Sequence, residues 1–264
     1  MQIRPLTTDD ELRQCVALQR ETWGAEFDDI VPPSILKVVQ RVGGVAAGAF
    51  DERGEMLGFV FGMAGVRDGR IVHWSDMLAV RAASRDAGVG RRLKQFQRQA
   101  ARASGAVTMY WTYDPLVARN AHLNLNRLGV AVDEYVEDMY GASQGDLHRG
   151  FGTDRFVVAW PLDRDPAPPA GDTSAEERTA PVINGEMVDG RAALALIGAG
   201  EPHLLRVAIP RDIMKVRDQS TERAAAWRAS TRAAFRWARH HGWHPVRFFS
   251  ESGSELAYYV LRKS

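Results

Sequence analysis

A long strand that leads through a glycine-containing turn into a long helix constrains the fold of this chain most strongly. The segment Ile71–Val80 (IVHWSDMLAV) is rich in apolar and β-branched residues, which predicts a strand. From Gly88 onward, apolar residues recur at spacings of three and four, which predicts an amphipathic helix. These residues are Val89, Leu93, Phe96, Ala100 and Ala103. A strand–turn–helix unit is therefore the central feature of the first part of the chain.

The turn in this unit has the features of a pyrophosphate site. Gly88 and Gly90 allow backbone amides to come close to a ligand, and the start of the helix adds its positive dipole end. Arg85, Arg91 and Arg92 contribute full positive charges. The pattern predicts phosphate binding; the alternative is a tight connection whose arginines are merely solvated.

Shorter patterns predict further elements around this unit. Thr8 and Glu11 form a capping box before a helix, and Asp114-Pro115 begins another helix that ends at Gly129. Runs of apolar, aromatic and β-branched residues predict strands. Their ranges are Gln2–Pro5, Gly43–Phe50, Met56–Val66, Val107–Tyr113, Tyr135–Tyr140 and Arg155–Trp160.

The composition changes after residue 162. The run Asp163–Thr179 is rich in proline, acidic and small residues and has no apolar periodicity, which predicts a linker or long loop. We therefore expect a domain at 1–162, a linker at 163–181 and a smaller αβ region at 182–264 that packs on the first. The strands predicted in this region, which resembles a degenerate half-copy of the domain, are Leu204–Ile209, Val246–Phe249 and Ala257–Leu261.

The charge balance bears on possible partners. Lys and Arg number 34 against 33 Asp and Glu, a formal charge of +1, which does not favour binding to nucleic acid or to an acidic membrane. An arginine stripe on the C-terminal helix is interpreted as facing solvent or a second subunit, which allows a homodimer. It comprises Arg223, Arg228, Arg232, Arg236 and Arg239.

The cellular compartment is predicted from cysteine usage and hydropathy. The single cysteine, Cys15, fits a reducing interior. No apolar run approaches the roughly 20 residues that a membrane helix needs, and the first residues lack a signal-peptide core. We expect a cytoplasmic protein without a membrane segment.

The order of these elements, with Arg85, Gly88 and Gly90 in the spacing Arg-x-x-Gly-x-Gly, resembles the GNAT acyltransferases over residues 1–162. The resemblance implies an α+β fold with a mixed, mostly antiparallel sheet flanked by helices. It also implies acetyl-CoA or another acyl-CoA as co-substrate, without a metal. The residues expected to bind the coenzyme are Leu78, Ala79, Val80, Arg85, Gly88, Val89, Gly90, Arg91 and Asn120.

The predicted catalytic residues are Asp76, His122 and Tyr140. A base must deprotonate the attacking amine, and the candidates for it are His73, Asp76, His122 and His148. Asp76 is favoured because it shares strand parity with Leu78 and Val80 and has apolar neighbours that raise a carboxyl pKa; the alternative is a structural hydrogen bond.

The sequence departs from the family at the residue that protonates the leaving thiolate. Many members carry a tyrosine where Leu125 stands. The substitutes are solvent or one of four tyrosines, namely Tyr110, Tyr113, Tyr135 and Tyr140. A glycine-rich loop at Ser143–Phe156 could close over a substrate, with Arg149 or Arg155 holding a carboxylate.

Two functions follow from the resemblance. The first is N-acyltransfer, with an acetyl or succinyl group passing from coenzyme A to the amine of a small molecule such as an amino acid. The alternative is a non-catalytic acyl-CoA-binding or regulatory protein, in which Leu125 marks lost chemistry.

Overall fold

The computed structural model of the chain describes residues 1–25, 27–85, 87–141, 152–164, 167–185 and 202–263. The described chain divides into two compact units. The first holds residues 1–111 and 159–164, and the second holds 112–141, 152–158 and 167–263. The predicted domain boundaries at 162 and 181 stay a prediction.

The first unit is built on an antiparallel sheet. Its strands are β1 (Gln2–Pro5), β2 (Val45–Phe50), β3 (Met56–Arg67) and β4 (Arg70–Val80), each antiparallel to the next. β5 (Thr108–Tyr113) pairs in parallel with β4. With β6 (Ala131–Val136) and β7 (Arg155–Pro161), the sheet has seven strands in the order β1-β2-β3-β4-β5-β7-β6. The residues of β5 and β7 are shared between the two units.

Three helices cover the two faces of the sheet in the first unit. They are α1 (Asp9–Trp23), α2 (Pro33–Arg41) and α3 (Val89–Ala103). One buried cluster joins α1 and α2 to the sheet through residues such as Leu12, Leu36 and Phe59. A second cluster on the opposite face joins α3 to β2 and β3 through Leu93, Ala47 and Val60. The predicted capping box of α1 is confirmed, because Thr8 and Glu11 each accept from the other's backbone amide.

The second unit contains a short helix, which continues as a segment of different pitch. It also contains a separate small sheet. Helix α4 (Ala118–Ala121) is followed by a π-helical segment at His122–Leu128. The small sheet has the order β8-β10-β9, with β8 at Leu204–Pro210, β9 at Trp243–Ser250 and β10 at Leu256–Lys263. The other α-helices among the described residues are α5 (Ala175–Thr179), α6 (Ile213–Gln219) and α7 (Thr221–His240).

The predicted α+β class is confirmed by this arrangement of a large, mostly antiparallel sheet, flanking helices and a second small sheet. Two local predictions are wrong. Residues 137–140 form a turn, not a strand, because β6 ends at Val136 and Asp138 has a positive φ of 44°. The helix after β5 begins at Ala118 instead of Asp114. The segment predicted as a linker, which stays a prediction, contains α5 with its own capping box from Ser174 and Glu177.

The arginine stripe of α7 is only partly at the surface. Arg228 is buried and forms two hydrogen bonds to Asp114, at 3.0 and 2.6 Å. Arg232 donates to Asp154 and Asp138, at 2.5 and 2.9 Å. The expectation of a stripe that faces solvent or a second subunit is therefore corrected for Arg228 and Arg232, since these two neutralise acids of their own unit.

Candidate functional site

A β-bulge in β4 sets the geometry of the candidate site in the first unit. Met77 pairs with Phe61 and Ser75 pairs with Gly62, so that Asp76 is one extra residue without a partner on β3. Such an insertion reverses which side chains face each side of the sheet. His73 and Ser75, before the bulge, contact Gln97 and Lys94 of α3. After it, Met77 and Ala79 pack in the cluster beneath α1 and α2.

The bulge corrects the predicted face of Asp76. Leu78 and Val80 pack against α3, on the same side of the sheet as His73 and Ser75. Asp76 accepts a hydrogen bond from the Trp74 side chain and is repelled by Asp29, which lies between α1 and α2. Asp76 therefore lies on the α1/α2 side, and parity across the bulge gave the wrong face.

The end of β4 has an open edge. The parallel ladder with β5 contains three pairs and ends at Trp74 and Tyr110, while β4 continues to Val80. On its other edge β4 remains paired with β3 as far as Val80. Within the described ladders, residues 75–80 thus have no strand partner on the β5 side. Their peptide groups can bond to an extended ligand that carries amides.

The first turn of α3 has the geometry and charge to hold an anion. Its N-cap residue Gly88 has a left-handed φ of 73°, and no side chain among the described residues caps the helix. Among these residues, the first amides of α3 therefore lack a capping acceptor. There is open space beside Gly90, since a Cβ added there would be 3.5 Å from the nearest atom, which belongs to the Leu78 side chain. Arg85 is exposed beside this turn and adds positive charge.

The surroundings of Asp76 at the bulge change the pKa of its carboxyl group. Loss of hydration by neighbouring protein atoms raises its pKa, the hydrogen bond from Trp74 lowers it, and the charge of Asp29 raises it further. The net direction is upward, as a general base for an ammonium substrate requires. The side chain is still exposed to solvent, so that a substrate can reach it.

The second unit holds the other predicted residues. His122 begins the π-helical segment and is exposed, and its ring nitrogens lie 3.1 Å from Asn126 Nδ2 and 3.3 Å from Arg127 Nε. Burial and the Arg127 charge lower the pKa of His122, which favours the neutral ring. Asn120 lies in α4 and is half-buried. His148 and Arg149 lie outside the described residues.

The tyrosines differ in their fitness as acids. Tyr140 is exposed, and its hydroxyl lies 3.0 Å from Thr112 Oγ1. Burial raises the pKa of Tyr113, and burial together with Asp154 raises that of Tyr135. Both phenols are therefore weaker acids than an exposed tyrosine. Leu125, at the position of the usual acid, is buried.

Sequence reasoning missed a buried polar cluster on the α3 side of β4. Lys94 Nζ donates to Ser75 Oγ at 2.6 Å and lies 4.1 Å from the centre of the Trp111 ring. His73 Nε2 lies 3.0 Å from Gln97 Nε2. These polar side chains are spaced by three on α3 and by two on β4, a pattern that places them on facing surfaces. That spacing is the signal that could have found them.

No protein-family model matches the sequence, and no curated protein matches it either. Among solved structures, the chain is similar to an aminoglycoside 6'-N-acetyltransferase complexed with coenzyme A. The identity is 16% over 63% of this chain and 100% of that one, with a TM-score of 0.47. It is also similar to a putative acetyltransferase from Salmonella typhimurium with its cofactor acetyl-CoA. There the identity is 20%, over 65% and 99% of the chains, with a TM-score of 0.48.

A third similar structure is an acetyltransferase of the GNAT family from Streptococcus pneumoniae. The identity is 17% over 61% of this chain and 98% of that one, and the TM-score is 0.47. No group of three or more metal-ligating side chains occurs among the described residues. No helix in the described part of the chain is long and apolar enough to cross a membrane. The three solved structures to which this chain is similar are all named as acetyltransferases, one of them as putative.

Proposed function

We propose that this protein is an acyl-CoA-dependent N-acyltransferase that transfers an acetyl or succinyl group from coenzyme A to the amine of a small molecule such as an amino acid. The observation that carries the proposal is the uncapped first turn of α3, which follows a strand with an open edge. Such a turn binds anions, and such an edge binds amides.

The coenzyme would occupy these two features of the first unit. The amides of Val89, Gly90 and Arg91 would hold the pyrophosphate, with Arg85 adding charge. The backbone of 78–80 would bond to pantetheine and polarise the thioester oxygen. In the second unit, Asn120 is proposed as a pantetheine contact on the basis of the family resemblance.

The acceptor amine would arrive as an ammonium ion. Asp76 and Asp29 both place carboxylates on the α1/α2 side of the sheet, where they attract a cation. Asp76 would remove the ammonium proton, and the free amine would then attack the thioester carbonyl. A new amide bond forms as the carbon–sulfur bond breaks, the nitrogen releases its second proton to solvent, and the thiolate leaves.

The proton acceptor in the final step would be that thiolate. Tyr140 is the proposed donor in the second unit because its hydroxyl is accessible, whereas burial raises the pKa of Tyr113 and that of Tyr135. His122 is proposed as a second base, since its lowered pKa keeps the imidazole neutral. We place the protein in the cytoplasm as part of the same proposal.

Acetyl-CoA turnover tests the function directly. Free thiol release is followed with acetyl-CoA or succinyl-CoA against a panel of amino acids and other small amines. Calorimetric titration with acetyl-CoA is run on the same protein. Binding with thiol release supports the transferase. Acetyl-CoA binding without thiol release in the presence of any amine favours the non-catalytic acyl-CoA-binding protein. The buried Leu125, at the position of the usual acid, supports that alternative. Absence of binding contradicts both.

A further inference from the structure

The buried amine of Lys94 contacts uncharged partners. Lys94 is 5% exposed, and its Nζ contacts the Ser75 hydroxyl and the face of Trp111. Within the described part of the chain, no carboxylate forms an ion pair with it. Burial favours the neutral amine over an ammonium ion that nothing neutralises.

The groups that face Lys94 come from several elements. His73 of β4 is buried, and its pKa is lowered to about 4 by burial and by the charge of Lys94, so it is neutral near pH 7. Arg98 follows one turn later on α3, donates to the Arg164 carbonyl at 2.5 Å and lies over Trp160. The residues that β2 and β3 contribute to the cluster with α3 are apolar.

Lys94 is on the same helix as the proposed pyrophosphate site. It follows Val89 by five residues, which is about 7.5 Å along the axis, and helical side chains lean toward the amino-terminal end. A negative charge at the first turn would thus lie on the order of 10 Å from the amine, across protein rather than water. At that separation each charge favours the ammonium form by about tenfold.

We propose that Lys94 takes up a proton when the pyrophosphate of acyl-CoA binds at the first turn of α3. The inference rests on the proposed function, because it needs the coenzyme at that turn. Burial lowers the pKa of Lys94 to about 7, so that at pH 8 the free protein holds it mostly neutral. The two negative charges of the bound pyrophosphate would stabilise the ammonium form of Lys94. They offset the cost of burying that charge and its repulsion from the positive end of the helix dipole.

Protonation would fix the direction of the hydrogen bond to Ser75. A neutral amine can accept from the Ser75 hydroxyl, whereas an ammonium ion can only donate to it. Ser75 precedes the bulge residue Asp76. A change in the Lys94–Ser75 hydrogen bond on coenzyme binding would therefore act on the strand that carries the proposed base. Lys94 is in this sense a positioning residue.

Calorimetric titration with acetyl-CoA at pH 8, in buffers of different ionisation enthalpy, counts the protons taken up. The phosphates of the coenzyme are fully ionised at this pH. We expect an uptake of about 0.4–0.8 proton by the natural protein and none by Lys94→Met. The affinity of the natural protein should fall by about tenfold between pH 7 and pH 9.5, and that of Lys94→Met should not.

Two variants keep the test decisive. Lys37→Met removes an exposed lysine of α2 and should leave the proton uptake unchanged. Lys94→Arg retains the charge but does not titrate, so it replaces Lys94→Met if that variant does not fold, and it should also abolish the uptake. Acetyl-CoA binding without uptake in the natural protein, or with equal uptake in the Lys94 variants, overturns the inference. Absence of binding instead overturns the proposed function.

Discussion

Gly88 combines a backbone requirement with a charge requirement. Its φ of 73° favours glycine, yet an added Cβ would meet no atom within 4 Å. Gly88→Asp should therefore fold while placing a carboxylate where pyrophosphate is proposed to bind. We expect coenzyme A affinity to fall at least tenfold, about 1.4 kcal/mol, in a calorimetric titration.

Gly69→Asp is the matched control for Gly88→Asp. Gly69 has a φ of 72° and equally open surroundings, but it lies in the turn between β3 and β4. Both variants carry the same backbone strain and the same new charge. Unchanged affinity in Gly88→Asp, or an equal loss in Gly69→Asp, would contradict the assignment of the α3 turn.

Asp76 is the residue on which the proposed chemistry depends most. Asp76→Asn keeps the shape but removes the basic charge, so kcat should fall by about 10²–10⁴-fold with little change in coenzyme affinity. Steady-state rates across pH measure this. Nearly full kcat with an unchanged pH profile would exclude Asp76 as the base.

Asp29→Asn tests the cause of the raised Asp76 pKa. The Asp29 charge is one of the causes that raise it, so its removal should lower the Asp76 pKa. Because a base acts only when ionised, the low-pH limb of the rate profile should then move to lower pH. A limb that stays in place would show that Asp29 does not act on the base.

Lys94 should also affect stability. Its pKa is lowered from 10.5 to about 7 by burial, so between these values the unfolded chain binds a proton that the folded chain does not. Stability therefore rises as pH rises from 7 toward 10.5. Lys94→Met should remove this rise and leave stability at pH 7 equal or higher by up to about 4 kcal/mol. Urea unfolding at pH 7 and pH 9 measures both effects; an unchanged slope contradicts the expectation.

At the scale of single elements, helices were more predictable than strand faces. The apolar stripe of α3 predicted its start and its packing face, and Val89 and Leu93 are buried there. The face of Asp76 could not be predicted, because a bulge inserts a residue without any mark in the run IVHWSDMLAV. Lys94 and Gln97 were missed because charge and polarity indicate solvent unless a facing strand supplies partners.

Two asparagine side chains pair with the outer strands of the small sheet. Asn126 accepts from the Phe248 amide at 3.1 Å and donates to its carbonyl at 2.5 Å. Asn184 makes the same two bonds with Ala208, at 2.7 and 2.8 Å. Each amide side chain thus takes the place of a neighbouring strand at that residue.

Asn126→Ala should leave both peptide groups of Phe248 without that partner. We expect a loss of about 1–3 kcal/mol in the free energy of unfolding, measured with urea. His122→Ala is the control, because it removes the contacts of His122 with Asn126 and Arg127 and keeps both bonds to β9. Equal stability of Asn126→Ala and the natural protein would show that the side-chain pairing contributes nothing.

At the scale of the whole molecule, order along the chain was predictable and long-range pairing was not. The sequence of strands and helices indicated the α+β class before any contact was known. The buried pair Asp114–Arg228 joins residues 114 positions apart, and nothing local in either segment indicates it. For the same reason Arg228 and Arg232 were interpreted as solvated, although both neutralise acids of their unit.

In each unit, a carboxylate that stays ionised in the folded state contributes to stability against acid. Burial alone would raise the pKa of Glu11, but the amides of Thr7 and Thr8 and the Arg4 guanidinium lower it to about 2. Because the folded pKa is depressed, Glu11 stabilises the fold above its usual value of 4.5 and loses this contribution as pH falls toward 2. In the second unit the pKa of Asp154, which burial would raise, is lowered by Arg232 and Tyr135.

Glu11→Gln should cost about 3 kcal/mol at pH 6, and the difference from the natural protein should shrink as pH falls toward 2. Urea unfolding at pH 6 and pH 3 measures it. Asp10→Asn is the control, since Asp10 is exposed on the same first turn and makes surface contacts, an ion pair with Arg13 and a hydrogen bond from Gln14. A constant difference across pH would contradict the role of the Glu11 charge.

Because of the bulge at Asp76, substitution and deletion of this residue have different effects on which side chains face each side of the sheet. A replaced side chain leaves the extra residue in place, so that Leu78 and Val80 still face α3. Loss of a single codon would instead restore unbroken alternation and exchange the inward and outward residues of every position after it. Substitution at residue 76 can therefore change its chemistry without disturbing the strand, while the length of the strand is held by the packing on both of its sides.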